Sequence, residues 1–262
     1  MKLHDIHLRD PFVLPAEGKY YLYGSCGGTH FVTYISEDLE EWEGPHEVFA
    51  GQPGFWGEFD FWAPEVHACR GTSILVADTP CGPFVPLKNS AVTPHEWECL
   101  DGTLYVSENG TPYIVFCHEW VQVKDGEMCA LELTPDLRDA VGEARVLFRA
   151  SEPHWANRGG EDFVTDGPFL HRMQDGRLLM LWSSFSAGGY AEAIAVSDNG
   201  DITGQWQHLP QLLYEKDGGH GMLFRTAEGA LRLILHAPNG QAGAERPHLF
   251  SVLEKEGTLQ LA

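Results

Sequence analysis

Five short motifs in this chain set an acidic or imidazole side chain beside Gly or Pro, each near a short apolar run. They are Arg9-Asp10-Pro11, Trp62-Ala63-Pro64-Glu65, Leu100-Asp101-Gly102-Thr103, Thr165-Asp166-Gly167-Pro168 and Gly219-His220-Gly221. Asp10, Glu65, Asp101, Asp166 and His220 are therefore candidates for one shared site. Carboxylates gathered together repel one another, so one of them is expected to hold its proton to unusually high pH. A protonated acid beside an ionised carboxylate is the pair that breaks a glycosidic bond. A single Asp beside Gly is usually a turn cap. The recurrence of the same position in five units is what favours a site. His95-Glu96 and His118-Glu119 lack the second His four positions after the first that a zinc protease helix needs. No nucleophile elbow, phosphate loop or dinucleotide fingerprint occurs.

The elements that must position these residues read as strands. Lys19–Tyr23, Thr111–Phe116 and Leu231–Leu235 are short apolar or aromatic runs, and Glu17-Gly18, Asn109-Gly110, Asp175-Gly176 and Glu228-Gly229 are hairpin turns. The one helix-like stretch lies near Leu137–Val141. The motif residues recur about every 52 positions, which suits one four-stranded propeller blade with its loops. The expected fold is all-β: a five-bladed β-propeller forming one domain over residues 1–262, with the motif residues at the mouth of its channel. The second unit is short. Between His67 and Thr72 it lacks the Gly-x-Tyr-Tyr type of strand found in the first.

Composition narrows the partners. There are 17 basic and 38 acidic residues, a net charge of −21. That excludes the basic footprint needed for nucleic acid and argues against anionic membrane surfaces. Apolar residues make up 43% of the chain, enough for a sizeable core. Eight Trp are available for stacking on flat apolar faces such as sugar rings, and Phe61, Trp62 and Trp120 are the candidates. Arg246 is a candidate for a sugar hydroxyl. The six Cys form no C-x-x-C pair and sit in strand-like runs, as buried reduced thiols would. With no apolar leader visible in MKLHDIHLRD, a cytoplasmic location is expected.

Arg-Asp-Pro before a Tyr-Tyr hairpin, Trp-Ala-Pro-Glu-Val, Asp-Gly-Thr-Leu-Tyr-Val, Asp-Gly-Pro-Phe-Leu and Gly-Gly-His-Gly-Met-Leu-Phe, in this order, resemble glycoside hydrolase family 43. The resemblance spans essentially the whole chain. It implies an inverting glycosidase acting on α-L-arabinofuranosides or β-D-xylosides, with an oligosaccharide as partner. It maps the general base to Asp10 and the carboxyl that orients the acid to Asp101. The acid itself, a Glu before Gly-Pro in the family, maps to Asp166. Asp is shorter by one methylene, roughly 1.5 Å. Glu65 and Glu119 are therefore kept as substrate-site carboxyls that could donate the proton in its place, with Glu161 and Asp162 as weaker candidates, and Asp166 ranks first because it keeps the motif position. The resemblance requires no cofactor for the chemistry, and it gives His220 a Ca²⁺ or similar ion in the central channel. The expected activity is release of arabinofuranosyl or related furanosyl or xylosyl residues from oligosaccharides. The alternative is a glycan-binding propeller whose acid site is weakened, which would bind sugars without turnover.

Overall fold

The Gly-containing dipeptides do what their chemistry suggests. Gly18, Gly110, Gly176 and Gly229 adopt φ of 75–89°, which Gly alone reaches without a Cβ penalty, and each reverses the chain between two strands. The computed structural model describes residues 1–26, 28, 30–57, 61–63, 72–241 and 243–262. Strands dominate it. The first unit comprises β1 (Arg9–Ala16), β2 (Lys19–Ser25), β3 (His30–Ser36) and β4 (Glu43–Ala50). The short unit supplies β5 (Leu75–Val76) and β6 (Val85–Pro86). The third has β7 (Cys99–Val106), β8 (Pro112–His118), β9 (Glu127–Leu133) and β10 (Ala140–Arg149). The fourth has β11 (Asp166–Arg172), β12 (Leu178–Ser186), β13 (Gly189–Ser197) and β14 (Trp206–His208). The last has β15 (Gly219–Arg225), β16 (Leu231–Ala237), β17 (Arg246–Lys255) and β18 (Thr258–Leu261).

Each long unit is an antiparallel meander whose four strands pair in chain order. The first strands stand innermost: β1 packs against β15, β15 against β11, and β11 against β7. This is an all-β propeller. Among the described residues it has four four-stranded blades, not the five expected. Among the described residues the second unit contributes only the β5–β6 pair, which bears out its expected shortness in part; the stretch between His67 and Thr72 lies outside the described residues. Glu65 lies outside the described residues.

Apolar clusters fill the gaps between units. Phe116, Cys129 and Leu131 of the third unit pack beside Val92 and Ile74. Phe148 and Met128 meet Trp182 and Met180 of the fourth. Leu181 and Ile194 meet Leu233 and Leu235 of the last. The ring closes where Met222, Phe224 and Ile234 meet Leu22, Val32 and Ile6. Phe61 is 1% exposed inside a cluster with Phe31, Phe49 and Phe55, so it serves packing rather than sugar stacking.

Two further expectations are corrected. The helix-like stretch at Leu137–Val141 is a turn running into β10, because Leu137 takes a left-handed φ of 61° and its chain then pairs with β9. The α-helix, α1, is a single turn at Trp120–Val123. Cys99, Cys117 and Cys129 are buried, but Cys26 is half-buried and Cys81 exposed rather than buried. Among the described residues no helix is long and apolar enough to cross a membrane.

Candidate active site

Every innermost strand of the four blades carries the same irregularity. Register shifts fall between Arg9 and Phe12, Leu100 and Thr103, Asp166 and Phe169, and Gly219 and Met222. Within each bulge one residue takes a left-handed backbone: Asp10 (φ 50°), Asp101 (53°), Gly167 (51°) and His220 (53°). For the three non-glycines this is a strained conformation, of the kind that concentrates at functional sites. Ala63 repeats it in the short unit at φ 39°. The bulge N–H groups are satisfied by side chains of the adjoining unit. Asp10 N–H donates to His236 Nδ1 (3.3 Å), Ala63 N–H to Ser25 Oγ (2.6 Å), Gly167 N–H to Asp101 Oδ2 (3.1 Å) and His220 N–H to Ser183 Oγ (2.7 Å). These four bonds each link one unit to its neighbour.

The bulges bring Asp10, Asp101, Asp166 and His220 together. His220 Nδ1 lies 3.2 Å from Asp10 Oδ1 and 3.9 Å from both Asp101 Oδ2 and Asp166 Oδ1. Asp166 stands one place before its bulge, level with Arg9 rather than with Asp10. Tyr190 Oη–H donates to its Oδ2 at 2.6 Å, which fixes the carboxyl's orientation. Asp10 accepts from Ser25 Oγ–H at 2.6 Å.

The charges separate by environment. Burial pushes Asp10 up, but His220, His236, Arg9 and the Ser25 hydroxyl outweigh it and hold this carboxyl at about 2. His236 Nδ1 also accepts the Asp10 N–H, and burial lowers the pKa of the imidazole itself. Asp101 goes the other way. Burial and the Asp166 carboxyl beside it, with a smaller push from Asp10, raise it well above the carboxylate range. It is the proton-holding carboxyl that clustering leads one to expect.

The channel beneath is narrow, about 40 Å³, and opens into a cleft of about 740 Å³. Trp62, Glu119, Trp120, Arg9 and Glu245 line the cleft around Asp10, Asp101, Asp166 and His220. Trp62 is 48% exposed there, as a stacking surface must be. Burial, with Glu98 and Asp166 nearby, pushes Glu119 up to about 7. Arg246 is placed elsewhere. Its guanidinium is spent on His4 O, Gly243 O, Glu245 O and His7 Nε2, which pins the N-terminal segment to β17. Among the described residues lining the cleft, the cation is Arg9.

Asp101, Asp166 and His220 set one ligand atom each within 4.8 Å of one another. A hard cation takes six to eight oxygens. This trio would supply a minority of them, so it fits only an ion held largely by water.

Sequence reasoning missed Ser25, Ser183 and His236. All three sit opposite the residue that precedes a bulge, paired with Arg9, Asp166 and Gly219. Aligning the second strands of the units would have singled them out. It also missed Glu192, which is fully buried and accepts from Ser183 Oγ–H (2.8 Å) and Gly221 N–H (2.9 Å). Burial pushes it up to about 8 from the ordinary 4.5. A raised carboxyl folds neutral, so its share of stability is whole below about pH 4.5 and is lost as pH rises toward 8. Glu192→Gln removes that loss. Its stability relative to wild type should rise by as much as about 4 kcal/mol between pH 5 and pH 8 in denaturant titrations.

A propeller that gathers an ionised carboxylate, a proton-holding carboxyl and an open aromatic cleft at one channel mouth is equipped for glycoside hydrolysis. The family model for glycosyl hydrolases family 43 matches residues 5–255, and the chain belongs to that family. It is similar to an endo-arabinase from Bacteroides thetaiotaomicron, with 40% identity over 98% of both chains and a TM-score of 0.92. An endo-1,4-beta-xylanase of the same organism shares the fold at 21% identity, over 98% of this chain and 94% of that one, with a TM-score of 0.83. So does an alpha-L-arabinofuranosidase from Lactobacillus brevis, at 16% identity over 99% and 97%, TM-score 0.76. No curated protein matches the chain.

Proposed function

We propose that the protein is an inverting hydrolase of α-L-arabinofuranosyl linkages in oligosaccharides. The observation that carries this reading is the opposed pair at the channel mouth: Asp10 held at about 2, and Asp101 raised beside Asp166. Asp10 takes a proton from the attacking water. Asp166 gives a proton to the departing oxygen, oriented by Tyr190. Inversion follows if water attacks from the face opposite the leaving group. Trp62 and Trp120 supply stacking faces for the sugar. The arabinofuranosyl specificity leans on the names of two similar structures, the endo-arabinase and the alpha-L-arabinofuranosidase.

A Ca²⁺ or similar ion in the channel belongs to the same proposal, with Asp101, Asp166 and His220 as its protein contacts. When bound it would supply positive charge beside the carboxyls. The fifth blade belongs here too. Ala63, with its left-handed backbone and its N–H on Ser25, repeats the feature of the four described innermost strands, which supports it.

A second reading, cleavage within a chain rather than release from its end, is favoured by the 40% identity to an endo-arabinase. Incubation with linear arabino-oligosaccharides, followed by proton NMR of the first product anomer and by product sizing, tests both. Direct formation of the β-anomer supports inversion. Monosaccharide alone supports end-release, and mixed short oligomers support internal cleavage. Sugar binding without any product would leave a glycan-binding propeller instead.

A further inference from the structure

Behind one wall of the cleft stands a second polar cluster that takes no part in the chemistry. His118, at the end of β8, is buried, and both of its ring nitrogens are engaged. Nδ1 lies 2.9 Å from Glu127 Oε2 and Nε2 lies 2.7 Å from Gln122 Oε1. The ring lies flat on Trp97, with centroids 4.2 Å apart and planes 8° apart. Gln122 cannot turn its amide over without loss. Its Oε1 also accepts Glu98 N–H (2.9 Å), and its Nε2 donates to Glu96 O (3.0 Å). Glu119 N–H donates to Glu98 O at 2.8 Å. Arg149 of β10 pairs with the other oxygen of Glu127.

One imidazole therefore ties together β8, α1, β9 and the 96–98 segment. The residues strung between its two tether points, Glu119 and Trp120, are the ones that line the cleft. A single helical turn has too few internal hydrogen bonds to hold such a position alone. Glu119 and Trp120 line the same cleft as Asp166, the residue assigned above to the departing oxygen, which sets this wall beside the leaving group.

Resting on the function proposed above, we infer that His118 and Gln122 are positioning residues that hold Glu119 and Trp120 as the binding wall for the leaving-group sugar. Gln122 is exposed, so Gln122→Ala tests this without emptying the core. Two measurements are made on the full chain. Hydrogen exchange of residues 119–123 should quicken by about tenfold in Q122A, as local opening becomes easier. KM for a linear arabinotriose should rise about tenfold more than KM for 4-nitrophenyl α-L-arabinofuranoside, with kcat falling less than threefold, because a lost stacking contact weakens binding of the extra sugar. Unchanged exchange would overturn the proposal, as would equal KM changes on the two substrates. If the wild type cleaves neither substrate, the proposed function fails on its own, and the exchange result still decides whether the brace holds the wall.

Discussion

Asp10→Asn is expected to lower turnover of every substrate by about 10⁴, the upper range for losing a general base. Asp10 is buried to 8% exposure and is ionised down to about pH 2. Asn keeps the shape and can still accept from Ser25, but it cannot take a proton. Asp101 and Glu119 in the same cleft are shifted the other way, toward holding a proton. The effect should therefore not depend on the leaving group. Arabinotriose and 4-nitrophenyl α-L-arabinofuranoside should fall together, and stopped assays at neutral pH check this. The acidic limb of the wild-type pH profile should not belong to Asp10 above about pH 3, since a depressed carboxyl loses its charge only as pH falls through its folded value. Wild-type rates that survive Asp10→Asn would sink the proposed mechanism.

Changes at Asp166 should split substrates instead. Asp166→Asn is expected to cost about 10²–10⁴ on arabinotriose, whose leaving alcohol needs a proton. It should cost far less on the 4-nitrophenyl glycoside, whose leaving group departs as an anion. Asp166→Glu should also reduce activity. The shorter carboxyl is seated by the Tyr190 hydroxyl at 2.6 Å, and an added methylene drives it out of that seat. Displacement by an ångström can cost on the order of a hundredfold. Glu119, pushed up to about 7 in the same cleft, is the competing donor. If Glu119→Gln produces the leaving-group split and Asp166→Asn does not, the acid is Glu119.

Much of the architecture was legible because strands and hairpin turns are local. Alternating apolar residues and Glu-Gly or Asn-Gly dipeptides mark them within a few residues. The recurrence of Asp10, Asp101, Asp166 and His220 ahead of such strands was enough to gather them at one mouth. The deficit of the second unit was visible as missing chain. Phe61 and Arg246 were misplaced because their partners are remote in sequence. Phe61 is taken up by Phe31 and Phe49, and Arg246 by carbonyls as distant as His4.

The sequence by itself determined the all-β class, the repeat, the acidic surface and the residue types at the site. Tertiary structure decided what each residue there can do. Bulge register set Asp166 one step from the level of Asp10, a difference that spacing alone hides because Gly167, not Asp166, takes the left-handed turn. Contacts between units then assigned the charges. Two aspartates with the same intrinsic affinity for a proton were driven apart, Asp10 by the imidazole and guanidinium beside it, Asp101 by burial against another carboxyl. Apart from Arg9, which precedes Asp10 in β1, those neighbours come from other blades, and their electric fields act only at the distances that folding creates.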